Sequence, residues 1–331
     1  MHDMFTTIDH LFTPGKGILA ADESKTSIGK RFRELGIADT PELHRQYREC
    51  LFSTPELEEY ISGVILSDET IHQTMSDGTP FAASLQQRGM LPGIKVDRGL
   101  TPAALSDAEQ WTEGLDGLRE RLQAYKALGA VFAKWRAVFV ISESTPTLGN
   151  LQANCQTLAR YAALCEEAGI VPIVEPEVLY DGTHCLSQSY EVHEQVWREL
   201  VYQLYQQGVS FETTILKASM VLSGKEHHHA DAVEDVAAAT IQGLSHTLPA
   251  SLGGVVFLSG GQSNEQAYAH LNAMCRDYTG LPWALTYSYG RALHARAMAA
   301  WGGQEAHIPA AQEALLADAR ACSLASRGAL S

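Results

Sequence analysis

Eight short apolar runs punctuate the sequence, each followed by a longer segment with a different rhythm. The runs lie at 17–21, 63–66, 93–96, 131–135, 171–174, 214–217, 254–258 and 283–287. They are almost continuously apolar, as strands covered on both faces are. The segments between them keep helical spacing. Leu115, Leu118, Leu122, Tyr125 and Leu128 fall on one face before Gly129, and Leu151, Cys155, Leu158, Ala162 and Cys165 do the same before Gly169. Val196, Leu200 and Leu204 precede Gly208 in the same way. A glycine after the last periodic residue is a helix C-cap signal. Thr40-Pro41-Glu42 reads as an N-cap with proline at the first helical position. Eight strands alternating with helices predict an α/β fold, a single (β/α)8 TIM barrel with additional terminal helices. A doubly wound sheet is the rival, but no G-x-G-x-x-G or G-x-x-x-x-G-K-[ST] loop follows any of the runs.

Length changes this picture little. The 331 residues suggest roughly two domains by size alone, but one barrel with end helices accounts for all of 1–331 as a single domain. Charge narrows the partners. Asp and Glu number 39 against 24 Lys and Arg, a net charge of −15, which argues against nucleic acid and anionic membranes. No apolar run approaches the ~18 residues of a membrane span. The start, Met1-His2-Asp3-Met4, lacks the basic and then apolar pattern of a signal peptide. The six cysteines form no C-x-x-C pair, so they read as small core residues of a reduced, cytoplasmic protein.

In a barrel of this kind the chemistry sits where strands end. The first run leads into Asp22-Glu23-Ser24, the third holds Lys95 before Asp97, and the fourth holds Lys134 and leads to Arg136. Lys134 and Arg136 are two apart and share a face, with Trp135 on the other. The fifth ends in Glu175-Pro176-Glu177, where the proline is expected to stop ladder pairing. The sixth ends in Lys217. Only eight lysines occur in the whole chain, and three of them lie in these apolar strands. A lysine is rarely buried without a partner. One alone would snorkel or pair structurally; three beside carboxylates predict a shared polar pocket.

Such a pocket suits covalent carbonyl chemistry. A desolvated lysine beside another cation loses its proton more readily, and the neutral amine attacks a carbonyl to form a Schiff base. A nearby carboxylic acid then dehydrates the carbinolamine. Lys217 has the most apolar neighbours and Lys134 is its cationic partner. Glu175, Glu177 and Asp22 are the acid and base candidates. The seventh and eighth runs lead into Ser259-Gly260-Gly261 and Ser288-Tyr289-Gly290-Arg291. Glycine backbone N–H groups and a guanidinium at a helix start form an anion site. Ser24, Ser27, Lys95 and Arg136 could hold a second anion across the mouth.

These residues lie in blocks that resemble class I fructose-1,6-bisphosphate aldolases. The blocks are Leu19-Ala20-Ala21-Asp22-Glu23-Ser24, Phe132-Ala133-Lys134-Trp135-Arg136, Ile173-Val174-Glu175-Pro176-Glu177, Phe257-Leu258-Ser259-Gly260-Gly261-Gln262-Ser263 and the run from Trp283 to Leu293. The resemblance implies metal-independent, reversible cleavage of fructose 1,6-bisphosphate to two triose phosphates in glycolysis and gluconeogenesis. It implies Lys217 as the Schiff-base lysine, Glu175 as the acid assisting it, and Lys134 and Glu177 as supporting charges. Asp22 would take the proton of the C4 hydroxyl. Ser259, Gly260, Gly290 and Arg291, with Gly261 and Ser288 beside them, would hold one phosphate. Ser24, Ser27, Arg31, Lys95 and Arg136 would surround the other. No cofactor is implied, and the family is commonly a homotetramer.

Two departures stand out. Ala218-Ser219 follow Lys217 where the family usually has Pro-Asn, and the sequence runs to Arg327-Gly328-Ala329-Leu330-Ser331 without the C-terminal Tyr of animal members. A pocket carboxylate or the substrate's own phosphate would then handle the enamine proton. Other motifs carry less. His227-His228-His229 with Asp231 and Glu234 matches no zinc spacing and reads as a loop. His193-Glu194 is not H-E-x-x-H, and Gly15-Lys16-Gly17 reads as a turn. Two alternatives remain: a Schiff-base aldolase of broader sugar-phosphate specificity, and a catalytically silent barrel used for binding.

Overall fold

A computed structural model describes residues 3–331. Met1 and His2, part of the start compared above with signal peptides, lie outside the described residues. The chain opens with α1 (Met4–Leu11), β1 (Gly17–Ala21), α2 (Lys25–Glu34), α3 (Pro41–Phe52) and β2 (Ile61–Leu66). Next come α4 (Asp68–Ile71), α5 (Phe81–Gln87), β3 (Leu91–Lys95), β4 (Leu100–Pro102), β5 (Gln110–Thr112), α6 (Leu118–Ala127) and β6 (Phe132–Phe139). Then follow α7 (Leu148–Ala168), β7 (Val171–Val178), α8 (Leu186–Gln206), β8 (Ile215–Ala218) and α9 (Val233–Thr247). The last elements are β9 (Gly254–Phe257), α10 (Asn264–Asp277), β10 (Leu285–Tyr289), α11 (Arg291–Trp301) and α12 (Ile308–Ala325). Eight strands close in the order β1-β10-β9-β8-β7-β6-β3-β2, all parallel. Each of the eight apolar runs contributes one of them.

The helix signals act as expected. Thr40 Oγ1 accepts the Leu43 N–H and Pro41 begins α3. Gly169 ends α7 at φ +66°, in the left-handed region a glycine enters without strain. Two features depart from the sequence reading. β7 runs through Pro176, which pairs with Ala137 of β6. Pairing on the β8 side ends at Val174, so the missing N–H costs no bond there. The antiparallel hairpin β4–β5, between β3 and β6, is also additional. Its strands are three residues each, too short to show any period.

Inside the barrel the lower positions are apolar. Ile18, Ile65, Phe132, Ile173, Ile215 and Val256 pack into one cluster, and α1 closes it from below with Ile8 and Leu11. Close approach requires glycine at the rim. A Cβ on Gly254 would fall 2.2 Å from Phe12 Cζ, and one on Gly93 2.2 Å from the Phe132 ring. Outside the barrel, Trp135 is fully buried and its ring meets Tyr161 of α7 at 5.5 Å. Gly254→Ala should therefore cost about 1–3 kcal/mol by overpacking. Combined with Phe12→Ala it should cost less than the two single changes summed, by about 0.5–3 kcal/mol, as read from urea unfolding.

Candidate active site

The strands carry their apolar floor upward into charge. Along the inner face of β6 the order is Phe132, Lys134, Arg136; along β7 it is Ile173, Glu175, Glu177; along β8, Ile215 is followed by Lys217. β1 contributes Ile18 and Ala20 and then Asp22 just past its end. The two-residue period of a strand places each series on one face. Above the floor opens a cavity of about 790 Å³ at the C-terminal ends of the strands. All sixteen residues proposed from the sequence line it except Gly261. Gly261 lies just behind: a Cβ there would meet Arg291 Nη2 at 3.8 Å. Both Gly260 and Gly261 take positive φ, +57° and +92°, which lets the loop turn tightly over the mouth.

At the bottom of the cavity four buried charges form a chain. Lys134 Nζ lies 2.7 Å from Asp22 Oδ2 and 3.1 Å from Glu175 Oε2. Lys217 Nζ lies 3.2 Å from Glu175 Oε1, its one ion-pair contact among the described residues. Glu175 thus bridges the two ammonium groups and offsets the repulsion assigned to Lys134. Burial works against the charge on Lys134, but Asp22, Glu175 and Asp97 outweigh it and raise its pKa. Burial likewise pushes Glu175 and Asp22 up, and the charges of Lys134 and Lys217 bring both below their ordinary values. Both carboxyls are therefore ionised at neutral pH.

Around the mouth the groups fall into two sets, one carried by β1, β3, β6 and the segments after them, the other by the segments after β9 and β10, and the sets adjoin where β1 pairs with β10. In the first, Ser24 caps α2, its Oγ accepting the Ser27 N–H at 3.2 Å and donating to Ser27 Oγ. Lys95 pairs with Asp97 at 2.7 Å, and Arg136 donates from Nε to Glu177. In the second, Gly290 precedes α11 with no side-chain cap, which leaves the helix start open to an anion. Arg291 begins that helix, Ser259 stands beside it, and Ser288 Oγ is buried with no protein partner among the described residues.

Sequence reasoning missed a second carboxylate centre. Glu23 lines the cavity and contacts Arg31, Arg48 and His294. Its position next to Asp22 was a signal; Arg48 and His294 gave none, because the fold brings them from α3 and α11. His227, His228 and His229 occupy a loop, and no group of His, Cys, Asp or Glu among the described residues is arranged to hold a metal. No described helix is long and apolar enough to cross a membrane.

A closed parallel barrel with buried lysines against carboxylates at its C-terminal mouth is an enzyme architecture. The comparisons specify which. The family model described as fructose-bisphosphate aldolase class-I matches residues 3–331. A probable fructose-bisphosphate aldolase class 1 of Xanthomonas campestris is 53% identical over 295 residues, covering 89% of this chain and 88% of that one. Fructose-bisphosphate aldolase 1 of Caenorhabditis elegans is 47% identical over 321 residues, covering 96% and 88%. Among solved structures, the aldolase of Plasmodium falciparum, crystallised with TRAP and a small-molecule inhibitor, superposes with a TM-score of 0.97 at 43% identity, covering 99% and 95%. The chain belongs to the class I fructose-bisphosphate aldolase family, carbon–carbon lyases of glycolysis that use a Schiff base rather than a metal.

The charge chain also sets an acid limit. Because Glu175 and Asp22 titrate lower in the folded chain than in the unfolded one, their contribution is full above the unfolded values of 4.5 and 3.8 and is lost as pH falls below them. Glu175→Gln should therefore flatten the fall of unfolding free energy between roughly pH 5 and 3. Urea titrations at several pH values check the slope; equal slopes in both proteins would contradict the assignment.

Proposed function

We propose that Lys217 is the Schiff-base lysine and that Glu175 moves the protons of its formation. The single observation that carries this is the unequal sharing of Glu175. Lys134 is held charged by two carboxylates at 2.7 and 3.1 Å, whereas Lys217 has one carboxylate oxygen at 3.2 Å. Lys217 can therefore pass a proton to Glu175 and attack as the neutral amine. The amine adds to C2 of open-chain fructose 1,6-bisphosphate. Glu175, now protonated, gives its proton to the C2 hydroxyl, which leaves as water and yields the iminium. Asp22 takes the C4 hydroxyl proton as the C3–C4 bond breaks, and the electron pair moves into the iminium to give an enamine. Glyceraldehyde 3-phosphate departs. Protonation at C3 and hydrolysis then free dihydroxyacetone phosphate and Lys217. Lys134 stays charged throughout and keeps Asp22 ionised and aimed until it accepts the C4 proton.

The two sets of mouth groups suit the two phosphates. Ser259, Gly260, Ser288, Gly290 and Arg291, with Gly261 supporting the loop, form one site. Ser24, Ser27, Arg31, Lys95 and Arg136 form the other, with Glu177 orienting Arg136 rather than acting on substrate. The chain works as one domain, needs no cofactor, and acts in the cytoplasm, a reading its six free thiols support. Exposed Leu148, Tyr202 and Tyr205 supply apolar surface for self-association, and the tetramer is the form we assign.

Borohydride reduction with dihydroxyacetone phosphate should add one triose phosphate to Lys217, read by peptide mass spectrometry, while chelators leave turnover intact. A label on another lysine would exclude the assignment. Glu175→Gln should lower kcat by about 10²–10⁴ with a smaller change in KM. A turnover of fructose 1-phosphate equal to that of the bisphosphate would favour the broader specificity instead.

A further inference from the structure

The carboxylate of Glu23 joins parts of the chain that no catalytic role requires to meet. Its Oε1 faces Arg31 Nη1 of α2 and, at 3.0 Å, His294 Nε2 of α11. Its Oε2 accepts from Arg48 Nη2 of α3 at 2.7 Å. Exposure falls steeply away from the cavity: the Arg31 side chain is 27% exposed, Glu23 9%, Arg48 2% and His294 0%. Only the first two of these side chains reach the mouth.

His294 is held in one orientation. Its Nδ1 lies 2.8 Å from Tyr47 Oη, and the same hydroxyl lies 3.1 Å from the His294 carbonyl. The Tyr47 ring packs against His294 at 6.0 Å and Trp301 at 5.4 Å. An ionised carboxylate only accepts, so the 3.0 Å contact is favourable with the ring proton on Nε2, although it falls outside hydrogen-bond geometry. Burial pushes Glu23 up, but Arg48, His294 and Arg31 hold it well below the ordinary carboxylate range.

The position of this contact matters more than its charge. His294 is three residues after Arg291 on α11, on the same side of the helix. Its Nε2 would lie 3.8 Å from a Cβ placed on Gly290. It therefore sits directly beneath the Gly290–Arg291 side of the mouth. Glu23 adjoins Ser24 and fixes Arg31, both in the other set of mouth groups, carried by the segment after the neighbouring strand β1. The Glu23–His294 contact is a direct tie from one set to the other.

We propose that His294 is a positioning residue that sets the span between the two phosphate sites and so selects a sugar phosphorylated at both ends. The proposal rests on the phosphate assignment above. With the tie intact, Arg31 and Arg291 are presented at a fixed separation before substrate arrives. Without it, Glu23 is held by α2 and α3 alone, and the two sites are joined through the β1–β10 ladder without this side-chain tie at the mouth. A substrate that uses both sites loses most; a substrate that uses one loses little.

Two replacements at the same place separate the effect from packing. His294→Leu fills the space without a donor, whereas the amide of His294→Gln can still donate to Glu23. His294→Leu should raise KM for fructose 1,6-bisphosphate roughly tenfold, leave its kcat within about twofold and leave KM for fructose 1-phosphate unchanged. His294→Gln should restore the preference. Equal changes for the two substrates, or no recovery with Gln, would overturn the proposal. If His294→Leu does not fold, as judged by circular dichroism, Tyr47→Phe decides. It removes only the hydroxyl that orients the ring and should raise the same KM ratio about threefold; an unchanged ratio counts against the tie. Arg31→Ala and Arg291→Ala, measured alongside, keep the two readings apart. If neither raises KM for the bisphosphate, the phosphate assignment fails. If both do while the His294 variants match the parent, the positioning role alone fails.

Discussion

Glu175 shares its two carboxylate oxygens between the ammonium groups of Lys134 and Lys217, at 3.1 and 3.2 Å, in a layer almost closed to water. Charges in such a place are costly to desolvate, and a buried ion pair is by itself weak support for stability. The arrangement holds because every member has an opposite neighbour, Asp22 completing the chain at 2.7 Å from Lys134. The apolar floor from Ile18 to Val256, closed beneath by α1, shields that layer from solvent on its lower side and so strengthens each interaction. The floor and the chain of charges are thus two consequences of one vertical order along the inner faces of the strands.

The same order explains how an acidic protein attracts an anion. The net charge of −15 describes the whole surface. At the mouth, Lys95, Arg136, Arg31 and Arg291 face one cavity, and each of the first three is held in place by a carboxylate that offsets part of its charge. Because Asp22, Glu23, Asp97, Glu175 and Glu177 line the same cavity, an anion there meets individually placed donors rather than a wall of one sign. A polyanion would have to cross the acidic exterior, whereas a small bisphosphate can enter the mouth alone.

The barrel was legible because strands buried on both faces leave an unmistakable record, and because helices ended at glycines such as Gly169. Most of the site was legible for a related reason: Lys134, Glu175 and Lys217 interrupt apolar runs where charge has no ordinary place. What escaped reading had no such contrast. The β4–β5 hairpin is too short to show alternation. Pro176 looks like a strand breaker until its ladder partner is known, since the sequence does not say which neighbour needs its N–H. Gly261 matches the loop motif but stands behind Arg291. Arg48, Tyr47 and His294 lie on helices with no local mark of a role.

Two kinds of information separate here. Sequence by itself determined the alternation of strand and helix, the two-residue spacing that puts lysines and carboxylates on inward faces, and the family to which they belong. These depend on local periodicity and on residue chemistry, both of which survive in a linear string. Only the tertiary structure decided who shares a proton with whom. The choice of Glu175 as the bridge, the single carboxylate beside Lys217 against two beside Lys134, and the tie from Glu23 to His294 arise when the barrel closes. Closure brings residues far apart in the chain within hydrogen-bond distance, which periodicity along the chain does not encode.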